Sequence, residues 1–542
     1  MFNFDYLKEI PELSTLHRYC DAAERNQYAA PDVSALNARR GLEWMTRAIF
    51  QMKNVEIPER YSLFDMVTDP TFTAFVNDER LMMAVHYIRK VGNAGAHTGQ
   101  VKKRESFFAV LNLYNFVGAV LLKLRVLTTL APFNEDLLPK SPGLSIPTQE
   151  VNPDASTGFA EQIEETAVSE ASSVEPAISW DNISEAETRR RFIDLMLREA
   201  GWDVLDEEGN IQPGKACIEV EVEGMPNAEG KGYADYVLFG PDRKPLAVIE
   251  AKRTSIDPMA GEHQAELYAD CLEKKYGVRP VTYFTNGFKH YVVDRLGFPK
   301  RQIAAFHSLD DLQLLQRRHG RADITDLSVN TAISGRYYQI AGIHALCHHF
   351  NTKHRRGLLV MATGTGKTRT AISLVELLTR ADWVKNTLFL ADRTSLVKQA
   401  KKAFDKHLPS TTCSDLTAKE HNKNARILLS TYQTMINYVD ADEKPFSVGR
   451  FDLIIVDEAH RSIFDKFKAI FKYFDAFIVG LTATPRDQVN RSTYDIFELE
   501  QGEPNYAYEY QTAVDDGYLR PFRGLKYDSE VLQNGIRSVS YT

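Results

Sequence analysis

The sequence predicts a multidomain α/β protein in which an all-helical domain precedes two domains that combine strands and helices. Three observations predict this architecture. At 542 residues the chain is too long for a single hydrophobic core. Helical periodicity dominates the first 130 residues, and apolar strands alternate with helices towards the end of the chain. A hydrophobic content of 44% and a charged content of 25% are typical of globular proteins.

Residues 1–130 form the predicted helical domain. Apolar residues recur at helical spacing in three segments. These are Leu36–Met52, Glu79–Val91 and Phe107–Leu124. The most apolar stretch, residues 116–130, is interrupted by Lys123 and Arg125, so it predicts a buried helix and no membrane span.

Residues 131–178 are predicted to form a flexible linker, because proline alternates there with serine, threonine and glutamate. A mixed α/β domain is predicted for residues 179–325, starting with a helix over Glu185–Ala200. Its predicted strands are Cys217–Val222, Tyr233–Phe239, Leu246–Glu250, Val281–Thr285 and His290–Val293. A parallel-sheet domain follows over residues 326–510.

The overall charge and the cysteines limit the classes of function. The net charge of −8 and the isoelectric point near 6.0 mean that any nucleic acid must be bound by local basic patches. The five cysteines have neither metal-ligand nor redox spacing, which favours buried thiols in a reducing compartment. The N-terminus does not resemble a signal peptide. We therefore expect a cytoplasmic protein without membrane partners.

A glycine-rich loop in the last domain has the pattern of a phosphate-binding site. Residues 361–368 read MATGTGKT after an apolar strand over Gly357–Val360. Backbone N–H groups of such a loop bind phosphate oxygens closely, since glycine has no Cβ to obstruct them. The candidate nucleotide-binding residues of this loop are Thr363, Gly364, Thr365, Gly366, Lys367 and Thr368.

Two carboxylates are expected to complete this site. The apolar run Leu453–Val456 predicts a buried strand, which places Asp457 at the carboxyl end of the parallel sheet. Asp457 and the Thr368 hydroxyl are predicted to bind Mg²⁺. The adjacent Glu458 is predicted to polarise the attacking water. The cofactors predicted for this domain are thus ATP and Mg²⁺.

A second set of charged residues predicts a metal-dependent nuclease. Asp235 lies near the start of one strand, and Glu250 and Lys252 lie at the end of the next. A hairpin brings two such strand ends together, so that both carboxylates bind one hard cation while Lys252 orients or activates water. The alternative is a surface hairpin with a simple Glu250–Lys252 salt bridge. Glu187, Gln264 and Tyr268 are the candidate supporting residues.

This combination resembles the restriction (R) subunit of type I restriction-modification enzymes over residues 180–520. The resemblance implies a PD-(D/E)xK restriction-endonuclease-like domain before a RecA-like first lobe of a superfamily 2 motor. It implies that Gln339 reads adenine, and that Phe389–Arg393 and Ser430–Thr434 contact the DNA backbone. It further implies that Thr482 and Thr484, within Leu481–Pro485, couple hydrolysis to movement.

The same resemblance implies an ATP-dependent translocase that cleaves double-stranded DNA together with methyltransferase (M) and specificity (S) subunits. Residues 511–542 are expected to begin a second motor lobe, whose later motifs and arginine finger are not found in this sequence. An arginine finger contributes roughly 10³–10⁵ in rate in related hydrolases. The chain is therefore expected to bind ATP without efficient hydrolysis or translocation.

Two alternative functions remain open. One is a stand-alone helicase–nuclease in DNA repair or phage defence, which would act without methyltransferase partners. The other is an inert module that only binds DNA or a partner protein. No helix-turn-helix or zinc-finger pattern is found in the sequence, so under the type I resemblance the methyltransferase and specificity subunits are expected to supply sequence recognition.

The segment His86–His97 resembles a motif of HEPN-like helical domains, in which some relatives cleave RNA with a nearby arginine and histidine. The favoured interpretation is an accessory helical domain. In that interpretation Asn93 and His97 cap a turn and form hydrogen bonds within the core.

Overall fold

The structure is a computed structural model, and it describes eleven stretches of the chain. These are residues 2–58, 61–97, 101–139, 188–205, 208–253, 256–294, 296–317, 323–441, 444–458, 462–483 and 493–521. The chain divides into two compact units. The first contains residues 1–278 and 282–291, and the second contains residues 279–281 and 292–542.

The first unit begins with the helical domain. Its six α-helices are α1 (Ser14–Asn26), α2 (Pro31–Met52), α3 (Leu63–Thr68), α4 (Pro70–Val76), α5 (Glu79–His97) and α6 (Lys103–Lys123). All three helices predicted there are confirmed, and α6 is long and apolar enough to cross a membrane. However, 78% of the apolar window of α6 is buried inside the protein, so these side chains form part of the core.

Close packing of α5 on α2 explains the glycines of the His86–His97 segment. A Cβ on Gly92 would lie 2.9 Å from the Ala35 carbonyl oxygen, and one on Gly95 would lie 2.6 Å from that of Asp32. Both distances are too short for a side chain, so glycine permits the two helices to approach. Asn93 lies inside α5, and the prediction that it caps a turn is therefore wrong.

Residues 131–139, which we had predicted to belong to the linker, pack on the helical domain. The Ala131 carbonyl accepts a hydrogen bond of 2.7 Å from the Tyr114 hydroxyl, and the Asn134 N–H donates to the Asn3 side chain at 2.7 Å. Phe133 makes an edge-to-face contact with the Tyr114 ring. The flexible linker was thus predicted to begin too early. Its other residues, 140–178, lie outside the described part of the chain.

The mixed α/β domain is built on a six-stranded sheet whose strands are ordered as in the chain, from β1 to β6. The strands are β1 (Ala216–Glu223), β2 (Lys231–Phe239), β3 (Pro245–Ala251), β4 (Val281–Thr285), β5 (His290–Val293) and β6 (Arg301–Ile303). Strands β1, β2 and β3 pair antiparallel. A π-helical turn over Arg189–Ile193 leads into α7 (Asp194–Glu199), and α8 (Glu262–Tyr276) follows β3.

Every strand predicted for this domain is present, and two of them have the predicted bounds, Val281–Thr285 and His290–Val293. All seven residues of β3 are buried, as expected for a strand read from a continuous apolar run. The buried β3 therefore holds Glu250, near its end, within the interior of the domain.

The second unit contains a seven-stranded parallel sheet with the strand order β13-β7-β12-β11-β8-β10-β9. Its strands are β7 (Arg356–Met361), β8 (Thr387–Ala391), β9 (Cys413–Asp415), β10 (Ile427–Thr431), β11 (Leu453–Asp457), β12 (Phe477–Thr482) and β13 (Tyr506–Tyr508). The carboxyl ends of parallel strands meet at one edge of the sheet, which is where ligands bind in open α/β folds.

Helices cover this sheet and connect its strands. They are α9 (Leu309–Arg317), α10 (Tyr337–Asn351), α11 (Lys367–Arg380), α12 (Thr394–His407), α13 (Tyr432–Asp440), α14 (Ser462–Tyr473), α15 (Thr493–Ile496) and α16 (Tyr510–Asp515). Ala513 is buried in the core of this domain, and Leu519 packs against that core. Residues 511–519, which we had assigned to a second lobe, therefore pack on the first one.

Candidate functional site

The phosphate-binding loop connects β7 to α11 at the carboxyl edge of the parallel sheet. Gly364 and Gly366 have φ angles of 89° and 97°, a left-handed conformation that favours glycine. The Thr365 hydroxyl donates a hydrogen bond of 2.7 Å to the Ala362 carbonyl and stabilises the turn. Thr363 and Gly364 are exposed. The loop thus presents its backbone at the N-terminus of a helix, a natural site for anions.

Two side chains of α10 support this loop. The Tyr338 hydroxyl and the Gln339 side-chain amide both donate to the Thr365 carbonyl, at 2.8 Å and 3.0 Å. Gln339 is 3% exposed, and a Cβ on Gly366 would lie 2.5 Å from its Nε2 atom. The structure therefore places Gln339 as a support of the loop, whereas its adenine-reading role stays a prediction.

The predicted metal-binding and catalytic carboxylates lie at the end of β11. Burial and the adjacent Glu458 carboxylate together raise the pKa of the Asp457 carboxyl to about 6. Lys367 Nζ forms an ion pair of 3.1 Å with Glu458 Oε1, so the loop lysine and the predicted water-polarising residue reach the same point. Glu458 has a φ angle of 53°, which is uncommon for a residue with a side chain.

The other segments that resemble motor motifs lie at the carboxyl ends of their strands. Asp392 and Arg393 are exposed after β8, and Gln433 is exposed at the start of α13, after β10. Thr482 ends β12, is fully buried and pairs with Val360 of β7, next to the phosphate-binding loop. Thr484, like Ala459 and His460 of the DEAH sequence, lies outside the described residues.

The second candidate site lies where β2 and β3 pair. Asp235 and Glu250 are 6% and 2% exposed, and the Ala251 N–H donates a hydrogen bond of 2.7 Å to Asp235 Oδ2. Lys252 Nζ lies 2.6 Å from Glu250 Oε1. The structure thus brings together the three residues predicted for this site. The simple salt-bridge interpretation explains the contact between Glu250 and Lys252, but it explains neither the burial of both carboxylates nor the hydrogen bond to Asp235.

A chain of hydrogen bonds connects this site to α8. Lys252 Nζ donates to Gln264 Oε1 at 3.4 Å, and Gln264 Nε2 donates to the Tyr268 hydroxyl at 2.9 Å. The Tyr268 hydroxyl in turn donates to the Tyr233 carbonyl at 2.9 Å. The predicted supporting role of Gln264 and Tyr268 has a physical basis in these bonds. The third candidate, Glu187, lies outside the described residues.

Sequence reasoning missed two charged residues at this site. Arg189 of the π-helical turn pairs with both Asp235 and Glu219. Burial disfavours the charged guanidinium and lowers the pKa of Arg189. Asp235 and Glu219 raise this pKa by more, so the net shift is upward. The one available signal was the alternation of β1 and β2, which places acidic side chains on the same face of the sheet.

The donor sets of both sites suit a hard divalent cation. Asp235 and Glu250 provide buried carboxylate oxygens in the mixed domain. Asp457 and Thr368 provide a carboxylate and a hydroxyl oxygen at the phosphate-binding loop. Oxygen ligands of this kind are those that Mg²⁺ prefers. Magnesium therefore fits the residues of both sites.

The chain is similar to known restriction proteins. A family model described as "Type III restriction enzyme, res subunit" matches residues 332–487. The endonuclease subunit of the type I restriction enzyme EcoKI from Escherichia coli K12 is 30% identical over 62% of this chain and 35% of its own length. The EcoAI endonuclease subunit of Escherichia coli is 29% identical over 66% of this chain and 46% of its own length.

A solved fragment of a putative HsdR subunit of a type I restriction enzyme from Vibrio vulnificus YJ016 is 27% identical. The matched region covers 62% of this chain and 61% of the fragment, with a TM-score of 0.29. The sequence relatives confirm the resemblance that the motifs indicated. The chain spans less than half the length of these two curated relatives.

Proposed function

We propose that this chain, a relative of the endonuclease subunits of type I restriction enzymes, provides the β2–β3 site that cleaves double-stranded DNA and the phosphate-binding loop that binds the ATP used to move DNA. The observation that carries the proposal is the geometry of Asp235, Glu250 and Lys252 at one buried site. This site precedes a complete phosphate-binding loop in the same chain.

In the proposed nuclease site, Asp235 and Glu250 would hold Mg²⁺. The cation supplies a Lewis acid for the phosphodiester and lowers the pKa of a bound water. Lys252 would orient that water, because its ammonium is held between Glu250 and Gln264. Gln264 and Tyr268 fix the position of Lys252 through their own hydrogen bonds. This arrangement supports hydrolysis of DNA.

In the proposed motor site, the loop backbone and Lys367 would bind the phosphates of ATP. Thr368 and Asp457 would hold Mg²⁺, and Glu458 would polarise the attacking water. The ion pair between Lys367 and Glu458 supports this assignment, since it brings both side chains to the position between loop and strand where the terminal phosphate and the water must meet.

The partners follow from the same proposal. DNA would cross the carboxyl edge of the parallel sheet near Arg393 and Gln433, which are both exposed there. Contacts to the sugar-phosphate backbone carry no sequence information. Methyltransferase and specificity subunits would therefore recognise the DNA sequence, and the complex would act in the cytoplasm.

The test uses a restriction subunit that carries this sequence together with a second motor lobe, reconstituted with methyltransferase and specificity subunits. Asp235→Ala is expected to abolish DNA cleavage and to leave ATP hydrolysis by the complex unchanged. Lys367→Ala is expected to abolish both, because cleavage depends on translocation. ATP hydrolysis and cleavage of plasmid DNA are measured in parallel.

Two results would contradict the proposal. Loss of ATP hydrolysis in Asp235→Ala would show that Asp235 does not belong to a separate nuclease site. Cleavage that needs neither methyltransferase nor specificity subunit would instead favour a stand-alone helicase–nuclease.

A further inference from the structure

Arg189 bridges two carboxylates of the mixed domain. Its Nη1 atom contacts both Asp235 Oδ1 and Glu219 Oε1. The side chains of Arg189, Glu219 and Asp235 are 16%, 28% and 9% exposed. The proposed metal ligand Asp235 thus shares one guanidinium with a residue of the neighbouring strand.

Two uncommon backbone conformations produce this contact. Glu219 lies within β1 but has a φ angle of 48°, a left-handed conformation that side-chain-bearing residues rarely adopt. The antiparallel pairing in which Ile218 faces Tyr236 places Glu219 across from Asp235. Arg189 begins a π-helical turn, a local form found frequently at functional sites. Such conformations persist only where the surroundings hold them.

The two oxygens of Asp235 have different partners. Oδ2 accepts the hydrogen bond from the Ala251 N–H, which fixes the carboxylate against β3. Oδ1 faces the Arg189 guanidinium. A divalent cation on Oδ1 would place a second positive charge beside that guanidinium, and like charges disfavour each other at this distance. Arg189 and the cation therefore compete for the same oxygen.

We propose that Arg189 and Glu219 form a latch on the metal site of the nuclease. Arg189 holds Asp235 Oδ1 until a divalent cation displaces it, and Glu219 then retains the guanidinium. Arg189 is a positioning residue in this scheme, since it acts on the metal ligand. The inference rests on the proposed function, because it assumes that Asp235 binds metal.

The latch predicts opposite effects for its two members. Arg189→Met is expected to strengthen Mn²⁺ binding at Asp235 by about tenfold, because it removes the competing charge. Glu219→Gln is expected to weaken Mn²⁺ binding by roughly threefold or more, because Arg189 then has only Asp235 as a carboxylate partner. The double variant is expected to bind Mn²⁺ as tightly as Arg189→Met.

The measurement is Mn²⁺ titration of the full chain by calorimetry and by electron paramagnetic resonance. All variants carry Asp457→Asn and are studied without nucleotide, so that the proposed metal ligand of the motor site is removed and binding there does not contribute. Arg198→Met is the matched control, since Arg198 pairs with Glu105 of the helical domain. It is expected to leave Mn²⁺ binding unchanged. Thermal melting checks that each variant is folded.

Separate outcomes overturn the latch and the proposed function. If Asp235→Asn leaves Mn²⁺ binding unchanged, the metal site is wrong and the proposed nuclease fails with it. If Asp235→Asn abolishes binding but Arg189→Met leaves it unchanged or weakens it, only the latch is wrong. Should Arg189→Met not fold, tighter Mn²⁺ binding by Glu219→Gln would overturn the latch by itself.

Discussion

The proposed nuclease site and the proposed motor site differ in how deeply their carboxylates are buried and in how these carboxylates are neutralised. In the nuclease site, Asp235 pairs with Arg189 and Glu250 pairs with Lys252. In the motor site, burial outweighs the nearby lysine and raises the pKa of Asp457 to about 6. The nuclease carboxylates thus have counter-charges within the protein, whereas Asp457 gains from an incoming cation.

The largest expected difference concerns the two lysine–glutamate pairs. Lys252→Met is expected to lower the free energy of unfolding by about 3–5 kcal/mol, because it removes the cation from a buried partner. Its partner Glu250 has a side chain that is 2% exposed. Lys367→Met is expected to cost roughly 1 kcal/mol or less. The Glu458 side chain is 35% exposed and stays hydrated.

Urea unfolding followed for each domain measures both costs. Lys401→Met is the control, because Lys401 pairs with Asp405 at 2.7 Å on the surface of α12. It is expected to change the free energy of unfolding by a few tenths of a kcal/mol. If Lys252→Met and Lys367→Met lower the free energy of unfolding equally, the proposed difference between the buried, paired Glu250 and the hydrated Glu458 is wrong.

Acid is expected to weaken the mixed α/β domain through His290. This side chain is buried in β5 and hydrogen-bonded to the Thr285 hydroxyl at 2.7 Å. Burial lowers the pKa of His290 from 6.5 to about 4. Between pH 4 and pH 6.5 the folded state therefore binds fewer protons at His290 than the unfolded state does. The stability contributed by neutral His290 is present above pH 6.5 and is lost as the pH falls towards 4.

This contribution is at most about 3 kcal/mol, since each pKa unit corresponds to about 1.4 kcal/mol. The free energy of unfolding is measured against pH for the natural chain and for His290→Gln, and the difference isolates the histidine. If the free energy of unfolding of His290→Gln depends on pH as steeply as that of the natural chain between pH 6.5 and 4, His290 does not titrate with the predicted shift.

The loop of the motor site offers a third comparison. Gly366→Ala and Gly502→Ala each place a side chain at a left-handed position, with φ angles of 97° and 85°. Both are expected to cost about 1–2 kcal/mol of stability. Only Gly366→Ala is expected to weaken ATP binding, because its Cβ would lie 2.5 Å from Gln339 Nε2, whereas nothing lies within 4 Å at Gly502. Fluorescent-nucleotide titration separates the two effects.

The motor site could be predicted from the sequence in greater detail than the nuclease site. The phosphate-binding loop is contiguous, so MATGTGKT specifies the turn, the lysine and the start of α11 together. The strands over Leu246–Glu250, Gly357–Val360 and Leu453–Val456 were predictable because continuous apolar runs form buried strands, whereas the short strands β6, β9 and β13 were not predicted. The hydrogen bond by which Gln339 supports the loop was not predictable, since it depends on how α10 packs against the loop.

The nuclease site depends on residues that are far apart in the sequence. Glu250 and Lys252 could be found because the two-residue period of a strand relates them, and Asp235 because the β2–β3 hairpin brings it to the same end. Arg189 lies 46 residues before Asp235 and reaches it from a π-helical turn that the helical periodicity does not indicate. Glu219 required knowledge of the β1–β2 register and of a left-handed backbone. Tertiary contacts of this kind leave no local pattern.

The smallest expected effect compares two tyrosines with matching roles. Tyr268 accepts from Gln264 and donates to the Tyr233 carbonyl, both at 2.9 Å. Tyr338 accepts from Arg336 at 2.7 Å and donates to the Thr365 carbonyl at 2.8 Å. Tyr268→Phe and Tyr338→Phe keep the rings and remove only these hydrogen bonds. Each is expected to cost about 1 kcal/mol, which is roughly a fivefold change in an affinity.

The two substitutions are expected to affect different ligands. Tyr268→Phe should weaken Mn²⁺ binding at Asp235 and leave ATP binding unchanged, because its hydrogen bonds reach Lys252 through Gln264. Tyr338→Phe should weaken ATP binding alone, since it supports the phosphate-binding loop. In the double variant the two losses in the free energy of unfolding should add to within about 0.5 kcal/mol, as expected for sites without shared partners. A loss of ATP affinity in Tyr268→Phe would show that the two sites are coupled even without DNA, and the contrast between them would then fail.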